Sequence, residues 1–194
     1  MYKLKIVFVG PAGSGKTTIA NFLADMPENI GAGAYRPTQG VRILEYETLV
    51  GVGTEAPTKT QIELWDCGSN QKYDMCWPAI QNEAHGICFI IDAANPSDIP
   101  EVEKLFNILV IQTGLNRNRC MLIAHHKKSI DREMKHLSRL GSSFPQVYTI
   151  HANVEENDSR LLSDFNNFYS SILAGLKDTN EQEELSIMNM EKTG

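Results

Sequence analysis

No stretch of this 194-residue sequence approaches the roughly 20 consecutive apolar residues that a membrane-spanning helix needs, so a transmembrane helix is excluded. Cysteine is scarce and scattered. Cys67, Cys76, Cys88 and Cys120 form neither a Cys-x-x-Cys pair nor a dense framework, which rules out a disulfide-stapled fold. Reduced thiols are expected, with Cys88 and Cys120 serving as small core residues. Positive charge is also in short supply: 18 Lys and Arg stand against 24 Asp and Glu, a formal net charge of −6 with a pI near 5.4. Binding a phosphodiester backbone needs clustered cations, so no nucleic-acid partner is expected. The N-terminus lacks the long apolar segment and small-residue cleavage site of a secretory leader, which predicts a cytosolic chain. No cysteine lies near the C-terminus, so no direct lipid anchor by prenylation is expected. Internal repeats are absent.

What is present alternates between strand and helix patterns. Leu4 to Val9 is a short apolar run that ends in glycine, as a buried parallel strand does, and Thr17 to Ala24 then carries apolar residues at helical spacing. Val41 to Val50 and Gln61 to Trp65 alternate on either side of a Gly/Pro/Thr-rich stretch, Gly51 to Thr60, which predicts an antiparallel hairpin with a long tip. Gly86 to Asp92, Cys120 to Ala124 and Val147 to Ile150 read as further strands. Helical spacing recurs over Glu101 to Gln112 and over Ser159 to Leu176, the latter with Leu161, Leu162, Phe165, Phe168, Tyr169, Ile172 and Leu173 on its inner face. The pattern predicts one α/β domain over residues 1–176. Residues 177–194 form an acidic tail that is expected to be flexible when alone, with Leu185, Ile187, Met188 and Met190 available for docking.

The strongest motif lies between the first strand and the first helix. Gly10-Pro11-Ala12-Gly13-Ser14-Gly15-Lys16-Thr17 fits G-x-x-x-x-G-K-[ST] in full. Its glycines let successive N–H groups turn toward a phosphate, and the helix N-terminus adds its dipole. Lys16 is placed to bridge phosphate oxygens, the Thr17 hydroxyl to ligate Mg²⁺, and Thr18 to extend the nucleotide contacts. Asp66 closes the third strand in Trp65-Asp66, where P-loop proteins carry an acidic residue that holds Mg²⁺ through water. Thr38, in the turn-rich Arg36-Pro37-Thr38-Gln39-Gly40, can offer a hydroxyl to Mg²⁺ and its N–H to a γ-phosphate. His125 and His126 follow a strand, so their side chains should diverge, which argues against a paired-histidine metal site. Asn157-Asp158-Ser159 reads as the N-cap of the last helix and not as a glycosylation site.

Gly10 to Thr17, Thr38 and Trp65-Asp66, in this order of elements, resemble the Ras superfamily, and Trp65-Asp66 is most similar to Rab proteins. More narrowly, residues 35–45 (Tyr-Arg-Pro-Thr-Gln-Gly-Val-Arg-Ile-Leu-Glu), 65–68 (Trp-Asp-Cys-Gly), 76–79 (Cys-Trp-Pro-Ala) and 120–127 (Cys-Met-Leu-Ile-Ala-His-His-Lys) resemble the atypical Rab-like subunits of the intraflagellar transport B complex. The resemblance implies a P-loop small-GTPase fold with a doubly wound, mostly parallel six-stranded sheet, one antiparallel edge strand, and helices on both faces. It implies GTP or GDP and Mg²⁺ as cofactors and the coiled-coil subunits of the complex core as partners. It further implies residence in the cilium or flagellum, at its base and in the cytoplasm.

Departures from the superfamily fall on residues that carry hydrolysis and base choice. Aligned from Asp66, the Asp-x-x-Gly glycine that meets the γ-phosphate becomes Ser69. The water-orienting glutamine becomes Asn70, one methylene shorter, with Gln71 next to it as the other catalytic candidate, so intrinsic hydrolysis is expected to be slow. Asn-Lys-x-Asp falls on His125-His126-Lys127-Lys128, replacing the aspartate that accepts from guanine with a donor. Losing a charge-assisted hydrogen bond of about 1.5–3 kcal/mol weakens binding by roughly one to two orders of magnitude. His151-Ala152-Asn153 keeps the last base-contact motif, in which the Ala152 N–H can still donate to guanine O6. Two readings stay open: a subunit used for its GTP-bound shape, or an active GTPase switch that needs an activating protein.

Overall fold

The computed structural model describes residues 1–26, 36–51, 56–127, 137, 140–154 and 159–191. β1 (Tyr2–Val9) sends Leu4, Ile6 and Phe8 to one face and Val7 and Val9 to the other, and both sets are buried. This is the two-residue alternation of a strand covered on both sides. β4 (Gly86–Asp92) and β5 (Cys120–His125) behave the same way, with Cys88, Ile90, Met121 and Ile123 on the first face and Ile87, Phe89, Leu122 and Ala124 on the second. β2 (Val41–Val50), β3 (Thr58–Cys67) and β6 (Tyr148–Ala152) complete a six-stranded sheet of order β2-β3-β1-β4-β5-β6. Only the β2–β3 pair is antiparallel, which gives the expected antiparallel edge.

Helices cover both faces. α1 (Lys16–Leu23) and α5 (Ser159–Glu191) pack on the first, where Ile19, Leu161, Phe165, Phe168 and Leu173 join the strand residues, whereas Leu162, expected on the inner face, is turned outward and 49% exposed, one position round the helix from buried Leu161. α2 (Trp77–Gln81), α3 (Asp98–Phe106) and α4 (Leu140–Ser143) pack on the second, through Trp77, Ile80, Val102, Phe106 and Leu140. α5 lies so close to β4 that a Cβ on Gly86 would stand 2.7 Å from Ile172 Cδ1. The Tyr46 and Tyr169 hydroxyls, 2.7 Å apart, tie β2 to α5.

Boundaries differ from the sequence expectation in instructive ways. β3 begins at Thr58 and not at Gln61, so the hairpin tip is shorter, and residues 52–55 of that tip lie outside the described residues. β5 and β6 run on to His125 and Ala152. The helix expected over Glu101 to Gln112 begins at Asp98 and changes at Asn107–Ile111 into a π-helical turn. A 3-10 turn, Gln71–Cys76, and the short α2 and α4 carried no readable pattern, because a helix of one turn shows no period. The segment expected to be flexible beyond residue 176 continues α5 to Glu191. Residues 177–191 hold no glycine or proline, and four Glu and two Met among them are good helix formers that let the helix propagate. The proposed N-cap residues Asn157 and Asp158 lie outside the described residues.

Candidate nucleotide site

The parallel register of β1 and β3 pairs Phe8 with Asp66, so both strands deliver their carboxyl ends to one place, two residues before Gly10. There the chain turns into α1 through a loop that only glycine can build. Gly10, Gly13 and Gly15 have φ of 146°, 76° and 102°. A Cβ at Gly10 would meet the Ile90 carbonyl oxygen at 2.1 Å, and one at Gly15 would meet His125 Nδ1 at 2.0 Å. Lys16 is buried and donates from Nζ to the Gly10 and Pro11 carbonyls, each at 2.8 Å. Burial lowers its pKa, against the attraction of Asp66. Ser14 is fully buried, and its hydroxyl has no hydrogen-bond partner. Ala12 is exposed beside it, and Thr18 is half-buried in the first turn of α1.

Three oxygens converge at the start of α1. Thr17 Oγ1 donates to Asp66 Oδ2 at 2.7 Å and lies 3.0 Å from Thr38 Oγ1, which is itself 3.4 Å from the same carboxylate oxygen. Asp66 has no exposed surface, and its other oxygen, Oδ1, has no partner. Burial raises the Asp66 pKa, and the Thr17 hydrogen bond and the Lys16 charge oppose that shift. A buried carboxylate oxygen without a donor calls for an explanation. Two hydroxyls and a carboxylate in hydrogen-bonding range form the hard oxygen set that suits Mg²⁺ with its remaining waters.

The segments after Thr38 and after Asp66 are joined. Gly68 N–H donates to the Gly40 carbonyl at 2.7 Å, and a Cβ on Gly68 would lie 2.4 Å from the Thr38 carbonyl oxygen. Tyr73 Oη donates to Gln39 Oε1 at 3.1 Å. Asn70 is turned away from the loop: its side-chain oxygen caps the 3-10 turn by accepting from Lys72 N–H at 3.0 Å. Gln71 and half-buried Ser69 instead line a cavity of about 360 Å³ together with Gly10, Ala12 and Trp77. Of the two catalytic candidates, Gln71 is therefore the one at the loop.

The two histidines diverge as expected. His125 Nδ1 sits 3.1 Å from the Ser14 carbonyl and braces the loop from the end of β5. His126 turns to the other side, where its Nε2 meets His151 Nδ1 at 3.0 Å, and its N–H donates to the Ala152 carbonyl at 2.7 Å. No group of three or more His, Cys, Asp or Glu suited to a metal occurs among the described residues. Lys127 pairs with Asp92 at 2.5 Å, and Lys128 lies outside the described residues. Sequence reasoning missed the brace by His125 and the partnership of His151. Alternation at the end of a strand predicts one ring on each face but not what either ring meets.

A strand, glycine loop and helix with a buried lysine, opposed by a Thr–Thr–Asp oxygen set at the carboxyl edge of a mostly parallel sheet, define a P-loop nucleotide-binding domain of the small-GTPase type. The profile of the ADP-ribosylation factor family matches residues 1–156. Intraflagellar transport protein 22 homologs from Homo sapiens and Danio rerio are 39% and 36% identical over 188 residues, covering 97% of this chain and the whole of each relative. Intraflagellar transport protein 22 of Chlamydomonas reinhardtii is 30% identical over 121 residues, 62% of this chain and 60% of that one. Among solved structures, the GTP-bound crystal structure of T. brucei IFT22/74/81 matches with a TM-score of 0.67 at 21% identity, covering 92% of this chain and 99% of the other. This chain belongs to the ADP-ribosylation factor family of small GTPases and, within it, to the intraflagellar transport protein 22 homologs.

Proposed function

We propose that this chain binds Mg²⁺·GTP and serves, through its GTP-bound shape, as a Rab-like subunit of the intraflagellar transport B complex that contributes to assembly of the cilium or flagellum. The observation that carries the reading is the convergence of Thr17, Thr38 and Asp66 beside the P-loop, with one Asp66 oxygen left without a partner. Mg²⁺ held there would neutralise charge on the β- and γ-phosphates. Lys16 would exchange its two backbone carbonyls for phosphate oxygens, the loop N–H groups would be available to the phosphates, and Thr38 would tie the 36–40 segment to the γ-phosphate end. Through Gly68 and Tyr73 that ordering reaches residues 69–77, so both segments (about 32–40 and 69–77) form or support the surface offered to partners. Residues 32–35 of the first lie outside the described residues. The family relatives and the GTP-bound T. brucei IFT22/74/81 complex support coiled-coil subunits of the complex core as those partners. The names of the relatives also support association with the cilium or flagellum, and the reading extends this to its base and the cytoplasm. Neither nucleic acid nor a direct lipid anchor enters this reading.

Titration of the purified chain with labelled GTP, GDP and ATP in Mg²⁺, following γ-phosphate release in the same samples, tests the proposal. Preferential GTP binding with negligible release is expected; equal binding of all three would overturn it. Thr38→Ala should weaken partner binding more than it weakens GDP binding, and equal losses would count against a nucleotide-ordered surface. One observation favours the second reading, an active GTPase that depends on an activating protein. Gln71 lines the cavity beside Gly10 and Ser69, which supports it as the orienting group of such an enzyme. Phosphate release that appears only when a candidate activator is added would establish it.

A further inference from the structure

At the end of the site away from the Thr17–Thr38–Asp66 oxygens, two imidazoles meet. His126 Nε2 and His151 Nδ1 are 3.0 Å apart, with ring centroids separated by 5.3 Å and planes tilted by 35°. His126 is buried, and His151 is exposed at the end of edge strand β6. Strand order decides which part of a nucleotide they face. The metal-side oxygens lie toward β3, and the sheet runs β3-β1-β4-β5-β6. A nucleotide with its phosphates over the loop at the end of β1 therefore extends its sugar and base along the carboxyl edge toward β5 and β6. His125, set against the Ser14 carbonyl, joins the end of β5 to the phosphate loop, so both ends belong to one surface.

Two neutral imidazoles at this distance share one proton, one ring donating and the other accepting. When His151 Nδ1–H donates to His126 Nε2, the lone pair on His151 Nε2, across the ring, is left for an outside donor. We propose that His151, oriented by His126, is the base-reading residue of this chain, its Nε2 accepting the N1–H of guanine. The inference rests on the GTP reading above. Lys128 stands where the superfamily has an aspartate acceptor, and an ammonium group has no lone pair, so an acceptor must come from elsewhere. The substitution also changes what is read. A carboxylate has two oxygens and takes both N1–H and the exocyclic 2-amino group, whereas a single ring nitrogen takes one hydrogen. His151 reads N1–H and is indifferent to the 2-amino group.

Inosine triphosphate differs from GTP only by that amino group and is the probe. Affinities of the full chain for GTP and inosine triphosphate in Mg²⁺ are measured for wild type and His151→Phe. The wild type should bind the two nucleotides within about threefold, and His151→Phe should weaken both by about tenfold. Inosine triphosphate binding more than threefold weaker than GTP in wild type, or His151→Phe matching wild type, overturns the proposal and leaves the GTP reading standing. Failure of wild type to bind either nucleotide overturns both.

Discussion

Asp66 has no exposed surface, and burial holds its carboxyl above the usual aspartate range. A carboxyl whose folded pKa is raised favours the protonated folded state, so its contribution to stability is present at low pH and is lost as pH climbs through the raised value. Without nucleotide and Mg²⁺, the melting temperature difference between Asp66→Asn and wild type should widen in favour of the variant from about pH 4 toward neutrality, as thermal melts would record. In excess Mg²⁺·GTP the order should reverse, because the carboxamide cannot hold the metal. Residues of this kind were legible in the sequence: Gly10 to Thr17, Thr38 and Asp66 come together as their motifs require. His125 and His151 were not, because their roles depend on contacts that no local pattern announces. One is a carbonyl 111 positions away, and the other is a ring on the neighbouring parallel strand. Asn70 aligns with the water-orienting glutamine but uses its amide oxygen to cap its own turn, and nothing in its identity separates the two uses.

Between elements, one close joint in the site is the crossing of the chain at Gly68 against Thr38 and Gly40. Gly68→Ala would force a methyl group to within 2.4 Å of the Thr38 carbonyl oxygen and 3.0 Å of the Gly40 carbonyl oxygen, both backbone atoms. Overpacking of this order costs about 1–3 kcal/mol, or roughly 2 to 12 °C in melting temperature for a chain of this size. The variant should also lose partner binding, as Thr38→Ala should, because both break one linkage between the two segments; a pull-down against the partner complex measures it. The strands were the most readable elements, since continuous apolar runs mark burial on both faces. The helical stretch 71–81 carried no usable pattern: its 3-10 turn and α2 are each too short to show a period.

Taken whole, the molecule is a sheet closed by α5 on one side. α5 has two parts with different duties. From Ser159 to Leu173 it supplies core residues, and Gly86 lets it seat against β4, whereas beyond Leu176 the helix continues past the last buried residue described. Deleting residues 177–194 should leave the melting temperature within a few degrees of wild type while weakening capture of the chain by its partner complex; a large loss of stability would show that the segment belongs to the core. The sequence predicted a flexible tail there because acidic, polar composition signals low burial. Low burial, however, does not stop a helix from propagating when neither glycine nor proline interrupts it.

The same burial that shapes the core sorts the thiols. Cys67, Cys88 and Cys120 are enclosed, with Cys67 and Cys120 pushed up to about 12 and Cys88 also well raised, while Cys76 alone is exposed, in the 3-10 turn between Ser69 and Trp77. Thiolate reagents act on accessible, ionisable sulfur. The native chain therefore comes with its own attachment point for a fluorophore, beside the segment that nucleotide exchange should move, and an optical readout of that exchange needs no engineered cysteine.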